Sequence, residues 1–257
     1  MTTSELTPLQ AQQREAAAQV RVENLSKVIA SKAAQTTILD SLSFAIPVGS
    51  LFAINGPSGS GKSTLLNLLT GIDRPTSGRI LFAEQELHKM SENRLARWRG
   101  RNVGIVFQFF QLLPTLTAQE NVLMALELSG LIPRKQWRAR AMECLQMVGM
   151  ETYAKRLPSE LSGGQQQRIA IARAMVNDPP VIVADEPTGN LDSKTAVQVF
   201  DLLETLTRHG KTVIYVTHDR DLAAHSSERI DLLDGRIVGD SCSAFYQKAE
   251  RIEVMRP

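Results

Sequence analysis

A short stretch of this 257-residue chain has the residue types and spacing of a loop that cradles phosphate groups. It matches the pattern G-x-x-x-x-G-K-[ST] and consists of Gly56, Pro57, Ser58, Gly59, Ser60, Gly61, Lys62, Ser63 and Thr64. The glycines let backbone N–H groups approach phosphate oxygens, and a following helix would add its positive N-terminal end. Lys62 would attract the outer phosphates, Ser63 would help to hold Mg²⁺, and Thr64 would donate to an inner phosphate. The predicted cofactors are therefore ATP and Mg²⁺.

Two other interpretations of this loop are a plain glycine-rich turn and a dinucleotide-binding fingerprint. The flanks argue against the turn, because an apolar run at residues 51–54 precedes the loop and leucine pairs follow it at residues 65–69. This is the strand-loop-helix context that the phosphate-binding pattern requires. The dinucleotide pattern G-x-G-x-x-G is disfavoured because Thr64 occupies the position of its third glycine.

A pair of acidic residues, Asp185 and Glu186, follows the apolar run at residues 181–184. Ligands of open α/β sheets bind at the carboxyl ends of the strands, so we expect both carboxylates beside the phosphate loop. Asp185 would hold Mg²⁺ through water, and Glu186 would polarise the attacking water as a general base. Two acidic residues that merely end a strand are the alternative, which the phosphate loop makes much weaker.

The elements that must position these groups are predicted by hydrophobic patterning. Four apolar, β-branched runs are typical of strands buried on both faces of a parallel sheet. They occupy residues 51–54, 103–107, 181–184 and 213–216. Helical patterns follow several of these runs, which predicts a doubly wound α/β core. Apolar runs at residues 20–22 and 38–46 predict a small antiparallel sheet, whereas helical spacing after residue 109 predicts an inserted helical lobe.

The chain is predicted to form one nucleotide-binding domain at residues 20–240, with a helical subdomain at roughly residues 109–165. Residues 1–19 are rich in Gln, Ala, Thr and Glu without a clear apolar face, so we expect a frayed or disordered tail. Residues 241–257 are expected to form a C-terminal tail.

Composition limits the classes of protein to which the chain could belong. A net charge of +2 gives no overall electrostatic case for binding nucleic acid or an anionic surface. The cysteines, Cys144 and Cys242, form no C-x-x-C pair, which argues against a zinc site and a disulfide framework. No run approaches the roughly 20 apolar residues of a membrane span. We therefore expect a chain that reaches a membrane only through a partner.

A second motif, L-S-G-G-Q, lies before a helical pattern of small and branched residues. Its members are Leu161, Ser162, Gly163, Gly164 and Gln165. A serine and two glycines at such a position suit an anion-binding helix start. The simpler interpretation is that Ser162 only caps its own helix. The complete string makes that simpler interpretation the weaker one.

With these motifs, the chain resembles the ABC ATPase family over roughly residues 20–240. The resemblance implies ATP hydrolysis and a P-loop NTPase fold of the ABC type. Such a fold has a RecA-like parallel-sheet core, an N-terminal antiparallel β-subdomain and an inserted α-helical subdomain. It also implies a homodimer that packs head to tail, with ATP held between residues 56–64 of one copy and 161–165 of the other.

The resemblance assigns roles to residues whose own surroundings suggest none, since an isolated Gln or His at a strand end is usually structural. Gln108 matches the Q-loop glutamine, which senses Mg²⁺ and the transmembrane partner, and His218 matches the switch histidine that contacts the γ-phosphate. Asp192 matches the D-loop and would bridge the two subunits. The predicted catalytic residues are therefore Glu186, His218 and Gln108. The predicted Mg²⁺ ligands are Ser63, Gln108 and Asp185.

Residues 112–122 and 186–192 are similar to the MacB, LolD and FtsE group. This similarity implies a partner permease with an FtsX/MacB-like domain, and a location at the cytoplasmic face of the inner membrane. The permease would drive export or extrude lipoproteins, lipids or hydrophobic compounds, whereas an FtsE-like member would instead regulate cell-wall cleavage. Where similar proteins stack an aromatic residue on adenine, this chain has Val28 and Ile29, so we expect weaker base stacking.

Nucleic-acid binding is the main rival function, because basic residues surround both Trp98 and Trp137. The near-neutral charge and the helical spacing of Trp137 favour solvated structural faces instead. A soluble ABC ATPase of translation or DNA repair would usually have a second cassette, long heptad repeats or cysteine pairs, which this sequence lacks. We therefore expect no nucleic-acid partner.

Overall fold

The computed structural model describes residues 18–30 and 34–240. The strands are β1 (Ala18–Ala30), β2 (Gln35–Pro47), β3 (Leu51–Asn55), β4 (Ser77–Phe82), β5 (Gln85–Glu86), β6 (Val103–Val106), β7 (Val181–Asp185), β8 (Thr212–Thr217), β9 (Glu228–Leu233) and β10 (Arg236–Asp240). The helices are α1 (Lys62–Leu69), α2 (Glu92–Asn102), α3 (Ala118–Ser129), α4 (Trp137–Met147), α5 (Gly163–Met175), α6 (Ser193–Arg208) and α7 (Arg220–Ala224).

The larger sheet has six strands in the order β10-β9-β3-β8-β7-β6. All neighbouring pairs from β9 to β6 are parallel, and β10 lies antiparallel on β9 at the edge. The four predicted parallel strands are β3, β6, β7 and β8, with ends within a residue of the predicted ones. This confirms the parallel-sheet core. Its strands place the chain segments that follow β3, β6, β7 and β8 along one edge.

The smaller sheet is antiparallel, with the strand order β2-β1-β4-β5. β1 and β2 are longer than their apolar runs indicate, because polar residues on the exposed face continue both strands. β1 begins at Ala18, which pairs with Pro47, so Ala18 and Gln19 belong to the sheet and the predicted tail boundary at residue 19 is too late. The remaining tail residues, 1–17 and 241–257, lie outside the described residues.

Alternate residues of the parallel strands pack into different halves of the core. In β3, Phe52 and Ile54 face a cluster that includes α1 and the smaller sheet, whereas Leu51 and Ala53 face the helices of the opposite side. Every one of these side chains is buried. Because both faces are covered, the strands read as continuous apolar runs without polar alternation.

Helices fill the chain between β6 and β7. Among the described residues of this segment there is no strand; α3, α4 and the N-terminal part of α5 form a helical lobe joined by short 3₁₀ turns. α3 begins with a capping box, in which Thr117 and Glu120 each bond the other's backbone N–H. This confirms the inserted helical subdomain of the predicted fold. In the part of the chain that is described, no helix combines the length and apolar character needed to cross a bilayer.

Candidate functional site

The phosphate loop, residues 56–64, joins β3 to α1 at the carboxyl edge of the parallel strands. α1 begins at Lys62, and its N-cap residue Gly61 has a φ angle of 99°. This backbone angle requires glycine, and a Cβ atom on Gly61 would also lie only 2.7 Å from Leu39 Cδ2. The first N–H groups of α1 have no partner within the helix and are available to an anion.

Lys62 is held inside this loop, and its side chain is almost completely buried. Its Nζ donates to the carbonyl oxygens of Gly56 and Pro57, both at 2.8 Å. Burial lowers the pKa of Lys62, while the charges of Glu186 and Asp185 act in the opposite direction. The ammonium group is therefore within electrostatic range of both carboxylates. Bound phosphate oxygens would offer it stronger acceptors than the loop carbonyls.

Ser60 provides the test of whether the loop fits an anion. Its hydroxyl is buried and has no hydrogen-bond partner among the described residues. A buried hydroxyl without a partner costs free energy, which a phosphate oxygen accepting its proton would recover. Together with the buried ammonium of Lys62, this donor makes the loop fit the phosphates of a nucleotide.

The predicted metal ligands Ser63 and Asp185 lie side by side. Ser63 Oγ donates to Asp185 Oδ1 at 3.3 Å. Burial raises the pKa of Asp185, and the Ser63 hydrogen bond opposes that shift. In the described residues there is no cluster of three or more acidic, His or Cys side chains that could hold a metal alone. A pair of oxygen ligands fits Mg²⁺, which binds with few protein ligands and completes its shell with phosphates and water.

Glu186 is the centre of the site. Gln108 Nε2 donates to its Oε2 at 3.0 Å, and His218 Nδ1 lies 3.2 Å from its Oε1. An ionised carboxylate can only accept hydrogen bonds, so His218 donates through Nδ1. These residues follow β6, β7 and β8, and the parallel sheet brings all three predicted catalytic side chains into contact.

The L-S-G-G-Q segment lies at the start of α5 and makes no hydrogen bond or ion pair with residues 56–64 within the described chain. Gln165 N donates to Ser162 Oγ at 3.3 Å, and Ser162 N donates to Gln165 Oε1 at 2.9 Å. In a single copy these two residues therefore cap their own helix. Gly164 packs so closely on Thr195 of α6 that a Cβ atom there would collide with its methyl group.

Asp192 also has a local partner in this copy. It is the N-cap of α6 and accepts from Thr195 N at 3.1 Å and Thr195 Oγ1 at 2.6 Å. These hydrogen bonds lower the pKa of Asp192. The described contacts thus gather the phosphate loop, Asp185, Glu186, Gln108 and His218 into one cluster, and leave Asp192 and the L-S-G-G-Q segment outside it.

Three polar residues near the site make hydrogen bonds that were not predicted. Asn190 Nδ2 donates to the Gln108 carbonyl at 3.0 Å, and Gln167 Nε2 donates to the Pro187 carbonyl at 2.8 Å. Arg173 donates to the carbonyls of Phe110 and Gln111, two consecutive residues with left-handed backbone angles. Each bond is to a backbone carbonyl distant in sequence, and the side-chain types alone give no signal for it.

The two tryptophans that suggested nucleic acid pack within the fold. Trp98 is buried and lies edge-on to Phe82, with ring centroids 4.8 Å apart. Trp137 is half-buried against the core, donates Nε1 to the Ile132 carbonyl at 2.7 Å and has Arg134 over its ring. Both rings therefore have structural contacts that explain their positions.

The fold and the site define a P-loop nucleotide-binding cassette of the ABC type. A family model described as "ABC transporter" matches residues 39–189. Two solved structures of the cassette MJ0796 are similar to this chain, one described as a dimeric post-hydrolysis state bound to ADP and Pi, the other as a dimeric bacterial ABC transporter cassette. Each is 40% identical, covers 87% of this chain and 98% of its own, and has a TM-score of 0.80. The chain belongs to the ABC transporter family and is a nucleotide-binding ATPase.

Proposed function

We propose that this chain is the ATP-hydrolysing subunit of a membrane ABC transporter, in which two copies close head to tail on ATP and drive a MacB- and LolD-like permease. The observation that supports this most strongly is the Glu186 carboxylate, bonded at one oxygen by Gln108 and at the other by His218. The Ser63–Asp185 pair and the phosphate loop lie beside it. This grouping of phosphate-binding and carboxylate side chains supports one side of an ATP site.

In this proposal Glu186 is the general base that accepts a proton from the attacking water. Gln108 and His218 orient its carboxylate, and the backbone of residues 56–64 with Lys62 holds the phosphates. Ser63 and the amide oxygen of Gln108 would hold Mg²⁺ directly and Asp185 would hold it through water; the Gln108 oxygen is left for this role because Gln108 bonds Glu186 through its nitrogen. Bound Mg²⁺ would neutralise charge on the outer phosphates.

The second copy is inferred from what a single copy lacks. Ser162, Gly163, Gly164 and Gln165 present a helix start, with its positive end, that no described contact links to the phosphate loop of the same chain. In a head-to-tail dimer this helix start would cover the nucleotide of the partner, and Asp192 would lie at the contact between the copies. The MJ0796 cassettes are described as dimeric, which supports a dimer of this chain.

The permease would bind beside Gln108. Phe109, which follows it directly, is 67% exposed, and Leu128 on α3 is 82% exposed. A cleft of about 900 Å³ near Leu128 runs between α2 and α3, with Arg97 and Arg101 on its rim. From Ala118 onward the chain belongs to α3, where Ala118 and Val122 are buried in the core. We assign docking to residues 109–113, which directly follow Gln108, and to this cleft.

The test is purification of tagged Glu186→Gln protein from detergent-solubilised membranes with ATP and Mg²⁺. We expect a permease with few membrane spans and a large outer domain to co-purify, and Leu128→Glu to abolish its recovery. Val48→Glu is the matched control, since Val48 is also an exposed apolar residue but lies on the turn between β2 and β3. Recovery of only a soluble partner or nucleic acid would contradict the transporter assignment while leaving the ATPase intact.

A further inference from the structure

Gln167, in the second turn of α5, is a completely buried amide. Its Nε2 donates to the Pro187 carbonyl at 2.8 Å, and its Oε1 has no hydrogen-bond partner among the described residues. A buried amide that makes only one bond is a less favourable core residue than an aliphatic side chain of the same size. The bond to Pro187 is therefore the feature that distinguishes Gln167 from a leucine or methionine.

The acceptor lies next to the general base. Pro187 follows Glu186, and because proline has no N–H its carbonyl is its only backbone hydrogen-bonding group. The turn continues to Gly189, whose N–H donates to the Glu186 carbonyl at 3.1 Å. Glu186 itself has a φ angle of 43°, outside the helical and extended regions. Gln167 thus fixes the peptide group between Pro187 and Thr188, one residue beyond Glu186.

The donor lies on the helix whose first residues are assigned to the other ATP site. Gln167 is less than two helical turns from Ser162, the N-cap of α5. Gly164 packs on Thr195, which in turn bonds Asp192 at the start of α6. A displacement of α5 would therefore move both the Gln167 amide and the segment that contains Asp192.

We propose that Gln167 is a positioning residue that couples the two ATP sites of the dimer, an inference that rests on the proposed head-to-tail arrangement. Within one subunit, the start of α5 binds the nucleotide of the partner, and Glu186 acts on the subunit's own nucleotide. The Gln167–Pro187 hydrogen bond joins these two functions over a short, buried path. When the start of α5 binds one nucleotide, this hydrogen bond thereby fixes the backbone next to Glu186, the general base that acts on the other nucleotide.

The test replaces the amide by side chains that fill its space without a donor, Gln167→Met and Gln167→Leu. ATP-dependent hydrolysis is measured over a range of ATP concentrations. We expect kcat to fall roughly tenfold, the rate equivalent of one hydrogen bond. The half-saturating ATP concentration should stay within about twofold, and the Hill coefficient should fall from near two, the number of sites, toward one. Gln146→Met, an exposed residue on α4, is the control for the substitution.

A second measurement separates this inference from the dimer on which it rests. Glu186→Gln alone must form dimers with ATP; if it does not, the proposed function fails first. The double variant with Gln167→Met should still dimerise with ATP, because only the coupling has been removed. The inference is overturned if both Gln167 variants keep the parent kcat and Hill coefficient, or if they lose ATP-dependent dimerisation together with turnover, as a general packing defect would.

Discussion

At the scale of single residues, the site depends on how firmly the Glu186 carboxylate is held. Its φ angle of 43° is uncommon for a residue with a side chain, and such conformations persist only where the surroundings over-determine them. Here the Glu186 N–H donates to the Val216 carbonyl at 3.2 Å, and both carboxylate oxygens accept hydrogen bonds. These hydrogen bonds therefore hold both the backbone and the carboxylate of Glu186 in one position.

His218→Ala should lower kcat for ATP hydrolysis by roughly a hundredfold, because Glu186 Oε1 loses the donor that orients it. The half-saturating ATP concentration should change little, since the phosphate loop is intact. Steady-state kinetics measure both quantities. His209→Ala, an exposed histidine at the end of α6, is the control. Activity of His218→Ala within about twofold of the parent would contradict the orienting role.

Asp185→Asn should stabilise the nucleotide-free protein while removing Mg²⁺-dependent turnover. Burial raises the pKa of Asp185 in the folded state. In the pH window between the ordinary carboxyl pKa and this raised pKa, the folded protein therefore binds more protons than the unfolded chain. The ionised carboxylate therefore reduces stability as pH rises through that window, and the amide does not. We expect the gain in melting temperature to be larger near neutral pH than at acid pH.

Thermal unfolding across pH measures this effect, with Asp201→Asn on the exposed face of α6 as the control. An equal gain at every pH, or unchanged ATPase activity, would contradict the account of Asp185.

At the scale of elements, the buried parallel strands were predictable because both their faces are covered and their sequences are continuously apolar. β4 and β5 were not predicted. Their connecting turn contains Ala83 and Glu84, both with left-handed backbone angles, so the glycine or asparagine that usually marks a hairpin is absent. The hairpin between β9 and β10 uses Asp234 and Gly235, a dipeptide that typically marks such a turn in a sequence.

The candidate site was predictable to the extent that its residues belong to motifs. Residues 56–64, Asp185 and Glu186 have local patterns that point to phosphate chemistry. Gln108 and His218 were found only through resemblance, and their contacts with Glu186 depend on the order of strands in the sheet. The bond from Gln167 to Pro187 spans distant elements and leaves no trace in either local sequence.

Asp192 has two separable roles at the start of α6, a cap within the copy and a proposed contact between copies. Asp192→Asn should keep the cap, whereas Asp192→Ala should cost about 1 kcal/mol of unfolding free energy. If Asp192 also bridges the subunits, both variants should weaken ATP-dependent dimerisation. Thermal unfolding and sedimentation measure the two effects. Thr117→Ala is the control, because it removes the cap of α3 away from the proposed contact. Normal dimerisation of Asp192→Asn would contradict the bridging role.

At the scale of the whole molecule, the ATP-binding groups form two halves on separate parts of the chain. The phosphate loop and the Glu186 cluster occupy the carboxyl edge of the six-stranded sheet. The L-S-G-G-Q helix start belongs to the helical lobe and has no described hydrogen bond to the first half. A head-to-tail pair of copies would form two ATP sites, each built from the phosphate loop of one copy and the L-S-G-G-Q helix start of the other. The nucleotide would then lie between the copies and link them.

The most direct test of this arrangement is sedimentation equilibrium of Glu186→Gln, which should bind ATP without hydrolysing it. With ATP and Mg²⁺ we predict twice the 28.3 kDa mass of one chain, and with ADP the mass of a single chain. Adding Ser162→Arg should return the ATP-bound sample to the single-chain mass. A single-chain mass for Glu186→Gln in ATP, or a double mass whatever the nucleotide, would contradict the shared ATP site.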